Sequence, residues 1–204
     1  MAATHLSRIL LITGFLIVLA VTQLARKRAT GADSTVTKRS DHIASRFGVR
    51  ITSALTALAI VVYTLNPELL AWSSFQTSTS VIVMGATAGT LGTALAVWSY
   101  RCLGMNWSDS VQTNAGQRLI TRGPYRCVRH PLYTSFGLLI LGMILITGNW
   151  LIGLLGLSIM PLLFQRALLE ERYLEAKFGE DYRAYVKHSG RFLPKACGGE
   201  QSTP

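Results

Sequence analysis

The chain has 204 residues, half of them apolar, only 15% charged, and a formal net charge of +10. That balance excludes an ordinary soluble domain and points to an integral membrane protein, in which a basic surface meets anionic lipid headgroups rather than nucleic acid. The three cysteines are odd in number and give no disulfide framework.

In chain order, the first apolar stretch runs from Ile9 to Ala25. Its positive charges, Arg26, Lys27 and Arg28, follow the apolar run and no small-residue cleavage pattern is present, so it is expected to be a retained anchor rather than a signal peptide. The linker from Arg26 to Arg50 is rich in charge, Ser and Thr and reads as a connector lying on headgroups. Ile51 to about Trp72 and Ser80 to Tyr100 are long enough for one span each, since a hydrocarbon core of about 30 Å needs about 20 helical residues. Gly85, Gly89 and Gly92 recur at helical spacing in the latter and predict close helix packing.

The segment from Leu103 to Tyr133 is polar and is predicted to cap the membrane opening. It ends in "TRGPYRCVRHPLY", where Gly123-Pro124 signals a turn and Pro131 suits the first turn of a helix with His130 near its N-cap. The positive end of that helix can hold a carboxylate, and Tyr125 and Tyr133 offer flat amphipathic rings. Arg126, Arg129 and Tyr133 also fit plain interfacial anchors. Cys127 and His130 have a spacing that two metal ligands could use, but no second pair accompanies them, so no metal is expected.

From Tyr133 to Gln165 the apolar run is double length and must turn back on itself, with Gly148-Asn149 as the predicted turn. Beyond it, "FQRALLEERYLEAKFGEDYRAY" carries the returning helix out of the membrane, with Arg166 and Glu170 four apart on one face and Glu171 adjacent. An intrahelical ion pair is the plain reading. Arg166, however, follows the apolar run directly, where an ionisable group is costly unless it faces a polar cavity. Pro161 can bend the helix toward such a site. A hairpin of this kind makes His130, Tyr133, Arg166 and Glu170 neighbours at one mouth.

The expected architecture is all-α: an integral membrane bundle of about five transmembrane helices. Residues 1–100 hold the N-terminal spans and linker, 101–195 the cap loop, helical hairpin and C-terminal helix, and 196–204 a mobile tail. Of the 20 Lys and Arg residues only Arg8 precedes the first span, and five spans place the other basic segments on one side. By the positive-inside bias that side is the cytoplasm, with the N-terminus outside.

"GPYRCVRHPLY", then "EERYLEAKFGEDYRAY" and "GRFLP", preceded by "LGMNWS", resemble the isoprenylcysteine carboxyl methyltransferases and their prokaryotic relatives, and more distantly the phospholipid N-methyltransferases. The resemblance covers roughly Arg101 to Pro194. It implies S-adenosyl-L-methionine as cofactor under a cytoplasmic cap. It also implies a cofactor site formed by Gln112, Gln117, Arg118, Leu119, Ile120, Tyr125, His130, Pro131, Leu132, Tyr133 and Glu170, with Glu171 supporting Glu170. Arg166 would face the methyl acceptor, and Arg166 and Glu170 would be the catalytic pair. The acceptor would be a lipophilic or prenylated molecule entering from the bilayer. Carboxyl O-methylation is the leading expectation; phospholipid N-methylation, small-thiol S-methylation and a non-enzymatic membrane scaffold remain open.

Overall fold

The computed structural model describes residues 43–104 and 118–195, with isolated helical positions between 9 and 23. Most of the first predicted span, the linker up to residue 42, the stretch 105–117 with Gln112 and Gln117, and the tail from 196 lie outside the described residues.

The described chain is helical. Helix α1 spans Ile43–Leu65, a 3₁₀ turn Pro67–Ser73, and α2 Thr79–Leu103. A second 3₁₀ turn at Gly123–Arg126 leads to α3, Pro131–Thr147. Then come α4, Trp150–Leu157, α5, Ile159–Phe178, and α6, Glu180–His188. Phe47–Leu65, Thr79–Leu103 and Trp150–Phe178 are long and apolar enough to cross a membrane, and Pro131–Thr147 is a shorter apolar helix. Their outward faces are oily: Phe47, Leu58 and Met84 are 64%, 59% and 63% exposed. Lipid is the solvent that tolerates such a surface.

The second span ends at Leu65, earlier than the apolar composition predicts. Pro67 disfavours helical backbone at Asn66, which sits at φ −142° and accepts the Glu68 N–H with its side chain at 3.2 Å. The remaining apolar residues fold back as the 3₁₀ turn, placing Trp72 edge-on to Trp150 with centroids 5.2 Å apart.

Helices α2 and α3 pack through glycines. A Cβ on Gly142 would lie 2.8 Å from both the Gly85 carbonyl oxygen and the Gly89 nitrogen. Gly85 likewise has no room for one and Gly92 only a tight fit, with Ser135 O 3.0 Å away, whereas a Cβ on Gly89 would meet nothing within 4 Å. The predicted glycine stripe therefore packs, with Gly89 contributing its backbone.

The hairpin turns where the sequence places it. Gly148 ends α3 in left-handed conformation at φ +56°, and Asn149 caps α4 by accepting the Ile152 N–H at 3.0 Å. The Asn149 amide also donates to Leu70 O at 3.0 Å, Ser73 Oγ at 2.8 Å and Ser74 Oγ at 3.1 Å. This polar knot ties the turn to the 3₁₀ segment that follows α1. On the return, the helix breaks at Ser158, three residues before Pro161, whose missing N–H cannot serve the Leu157 carbonyl.

At the other end of the bundle, α6 turns back at Gly179, and the segment after it runs alongside residues 127–130. Arg129 N–H donates to Gly190 O at 2.8 Å, His130 N–H to Arg191 O at 3.0 Å, and Gly190 N–H to Cys127 O at 2.9 Å. Cys127 is disulfide-bonded, which departs from the expectation that the cysteines give no disulfide framework. Cys102 is free.

Candidate active site

The mouth of the hairpin gathers residues from four elements. His130 is the N-cap residue of α3 and is buried, because the returning segment covers it. Pro131 follows as the first helical residue, so Leu132 and Tyr133 begin the helix wall. Tyr133 lies parallel to the His130 imidazole, centroids 5.3 Å apart and planes 1° apart. From α5, Glu170 accepts a hydrogen bond from the Tyr133 hydroxyl at 3.3 Å and lies 3.8 Å from His130 Nδ1. Arg166 is one turn earlier on α5 and an electrostatic neighbour of Tyr133. The expected cluster of His130, Tyr133, Arg166 and Glu170 is thus brought together.

Tyr125 is buried under this mouth in the 3₁₀ turn, and its carbonyl accepts the Tyr185 hydroxyl at 2.6 Å. Burial, and after it the charge of Glu170, push its phenol well above the usual value. Tyr125 therefore offers a neutral ring and hydroxyl, not a base. Leu119 and Ile120 are half-buried and Arg118 exposed in the extended stretch before it. Gln112 and Gln117, the remaining expected cofactor contacts, lie outside the described residues.

The two adjacent acids of α5 have separate surroundings. Glu170 keeps a 39% exposed side chain, while that of Glu171 is 13% exposed and surrounded by donors. Arg129 Nε donates to Glu171 Oε1 at 2.9 Å, and Arg191 forks it with Nε at 3.0 Å from Oε1 and Nη2 at 2.7 Å from Oε2. His130 Nε2 is 3.3 Å from Oε1. A carboxylate only accepts, so this contact puts the proton on Nε2 and leaves Nδ1 facing Glu170. Arg129 also reaches the Ser189 carbonyl, which pins the end of α6 to the same cluster.

Sequence reasoning assigned Arg129 to interfacial anchoring and gave no role to Arg191, Phe192 or Tyr182. Phe192 packs on His130 and Phe164 with centroids 5.8 Å and 5.9 Å away, and the Tyr182 hydroxyl is buried with no hydrogen-bond partner among the described residues. One signal was available for the arginines: two carboxylates in succession cannot both face solvent-poor helix contacts without nearby cations.

The donor set fits an S-adenosylmethionine-like ligand. Glu170 can accept from hydroxyl or ammonium groups, and stacked His130 and Tyr133 with Tyr125 give flat apolar walls. The anion seat at the start of α3 is narrower than a bare helix end. The His130 N–H is engaged by Arg191, and the Tyr133 and Thr134 N–H groups turn back to the His130 carbonyl. The Leu132 N–H is left as the first-turn donor without a backbone acceptor among the described residues. No group of three or more His, Cys, Asp and Glu among the described residues could hold a metal ion.

Comparison with known proteins bears on this mouth directly. The family described as phospholipid methyltransferase matches residues 80–181, which include every element of the mouth except the returning segment. A protein-S-isoprenylcysteine O-methyltransferase of Schizosaccharomyces pombe is 34% identical over 110 residues. That alignment covers 47% of this chain and 47% of the yeast protein, so the chain matches about half the length of this relative.

Proposed function

The chain belongs to the phospholipid methyltransferase family, and from that premise we propose that it is an S-adenosylmethionine-dependent membrane enzyme that methylates the carboxylate of a lipophilic acceptor, as for isoprenylcysteine. The observation that carries the reading is the meeting of His130 and Tyr133 at the start of α3 with Glu170 and Arg166 on α5. The catalytic unit is residues 101–195, with the mouth facing the cytoplasm.

When bound, the cofactor supplies a methyl group already activated on a sulfonium, so the protein's task is alignment and exclusion of water rather than making a strong nucleophile. Glu170 holds polar cofactor groups, and its hydrogen bond from Tyr133 fixes which oxygen remains available. His130, Tyr133 and Tyr125 wall the site on the polar side. Arg166 binds the acceptor carboxylate through its planar fork and turns one oxygen toward the methyl. An acceptor carboxylate is already deprotonated at neutral pH, so no general base is needed.

The lipophilic part of the acceptor is suited by the position of the mouth. Helix α3 has 17 residues and reaches only about 26 Å, short of the ~30 Å hydrocarbon core, which brings its polar start to the level of the lipid boundary. An acceptor tail can stay in the bilayer while its head meets Arg166.

The family match favours a second reading, methylation of a phospholipid amine, in which Glu170 or His130 would take the amine proton. Calorimetric titration of the detergent-purified protein with S-adenosylhomocysteine tests the common premise, and absence of binding overturns both. Transfer of radiolabelled methyl groups into native membranes, followed by separation of lipid, protein and volatile products, decides between acceptors. Label confined to phospholipid would replace the carboxylate reading, and volatile label would point to a small thiol.

A further inference from the structure

The segment that returns after α6 lies beyond the family-matched residues, yet it holds the mouth from three sides. Arg191 forks Glu171 of α5 through its side chain while its carbonyl accepts the His130 N–H at 3.0 Å. The Phe192 ring leans on His130 and Phe164, and its carbonyl accepts the Thr134 hydroxyl of α3 at 2.6 Å. Two consecutive residues therefore bind both arms of the hairpin at the same point.

We propose that Arg191 is a positioning residue for methyl transfer, acting through Glu171 on the imidazole of His130. This rests on the reading of the mouth as a methyltransferase site. The geometry forms a chain of two contacts: Arg191 fixes both carboxylate oxygens of Glu171, and Oε1 is thereby presented to His130 Nε2, which leaves Nδ1 on the side of Glu170 at 3.8 Å. Arg129 keeps Glu171 compensated if Arg191 is lost, since its Nε donates to Oε1 at 2.9 Å and its other end is bound to the carbonyls of Val186 and Ser189. Removing Arg191 thus releases Oε2 and lets the carboxylate turn without stranding a buried charge. The imidazole loses its fixed orientation while the helices remain joined.

The test uses the full chain in detergent and compares wild type, Arg191→Ala, Arg191→Lys, Glu171→Gln and the Arg191→Ala/Glu171→Gln pair. Binding of S-adenosylhomocysteine and methyl transfer to a farnesylated cysteine are measured for each. Arg191→Ala is expected to reduce kcat/KM about tenfold, the scale of one charge-assisted hydrogen bond. Lysine, which keeps the charge and loses the fork, should recover part of that loss. In the Glu171→Gln background the alanine change should cost less than about twofold, because residues acting through one contact are not additive. Effects that multiply fully would overturn the proposal, as would wild-type kcat/KM in Arg191→Ala with only its thermal midpoint lowered. If the alanine variant does not fold, the lysine variant decides, and unchanged kcat/KM there is fatal. Wild type that fails to bind S-adenosylhomocysteine removes the enzymatic reading itself; wild type that binds, with full additivity in the cycle, removes only the role of Arg191.

Discussion

Glu170 and Glu171 are adjacent on α5, yet His130 separates their roles by facing Glu170 with Nδ1 and Glu171 with Nε2. One acid stays open at the mouth. Its neighbour has both oxygens committed to two arginines and the imidazole.

The two acids should therefore fail differently. Glu170→Gln is expected to weaken S-adenosylhomocysteine binding by about tenfold, the loss of one hydrogen bond to a charged group, with little change in thermal midpoint. Glu171→Ala should lower stability by about 3 kcal/mol, because it leaves the largely buried Arg129 uncompensated, while Arg191 is exposed enough to turn to solvent. Titration calorimetry and thermal melts on both variants check this; equal effects of the two on stability would contradict the separation.

The proposed reaction gives Arg166 to the acceptor rather than the cofactor. Arg166→Ala should lower transfer to a carboxylate substrate by at least about tenfold, as expected when a charged hydrogen-bonding partner is removed, while leaving S-adenosylhomocysteine affinity nearly intact. Loss of both in equal measure would place Arg166 in the cofactor site instead.

The α2 and α3 contact makes a prediction independent of chemistry. Gly142→Ala drives a methyl group to 2.8 Å from the Gly85 oxygen and Gly89 nitrogen, both of them backbone atoms that cannot swing away. A cost of about 1 to 3 kcal/mol is expected from such overpacking. Gly89→Ala, with nothing within 4 Å of the new Cβ, is the matched control and should be close to neutral. Thermal melts of the pair in one detergent read the difference, and similar midpoints would mean that these helices do not meet here.

Alkaline pH should loosen the C-terminal end. Burial pushes the Tyr185 phenol up to about 12. In the unfolded chain it releases its proton near 10, so between these values the folded state binds more protons. Its contribution is complete below about pH 10 and declines as pH rises toward the folded value. Thermal midpoints across that range should fall more steeply for wild type than for Tyr185→Phe, although phenylalanine also loses the hydrogen bond to Tyr125 O and starts lower. Parallel slopes would show that Tyr185 titrates as if exposed.

The hairpin was legible in the sequence because a double-length apolar run has to turn, and Gly148-Asn149 has the residues for it. His130, Tyr133, Arg166 and Glu170 followed from that single inference, since antiparallel arms bring their ends together. Arg191 and Phe192 were not legible as contacts. Nothing local in "GRFLP" states that its backbone will pair with residues 127–130, and long-range pairing of this sort has no periodicity. The early end of α1 shows a different limit: an apolar run continued past Leu65, but Asn66-Pro67 imposed backbone geometry that composition does not record.

The pairing of His130 with Arg191 also sets an order of assembly. The spanning helices are complete by Phe178, so the hairpin can enter the bilayer while the last part of the chain is still being synthesised. Until residues 189–192 have emerged, His130 lacks the partner for its N–H, Glu171 lacks its fork, and the Phe192 face of the mouth is open. A chain truncated before residue 189 is thus expected to form the hairpin without the contacts that fix His130 and Glu171 at its mouth.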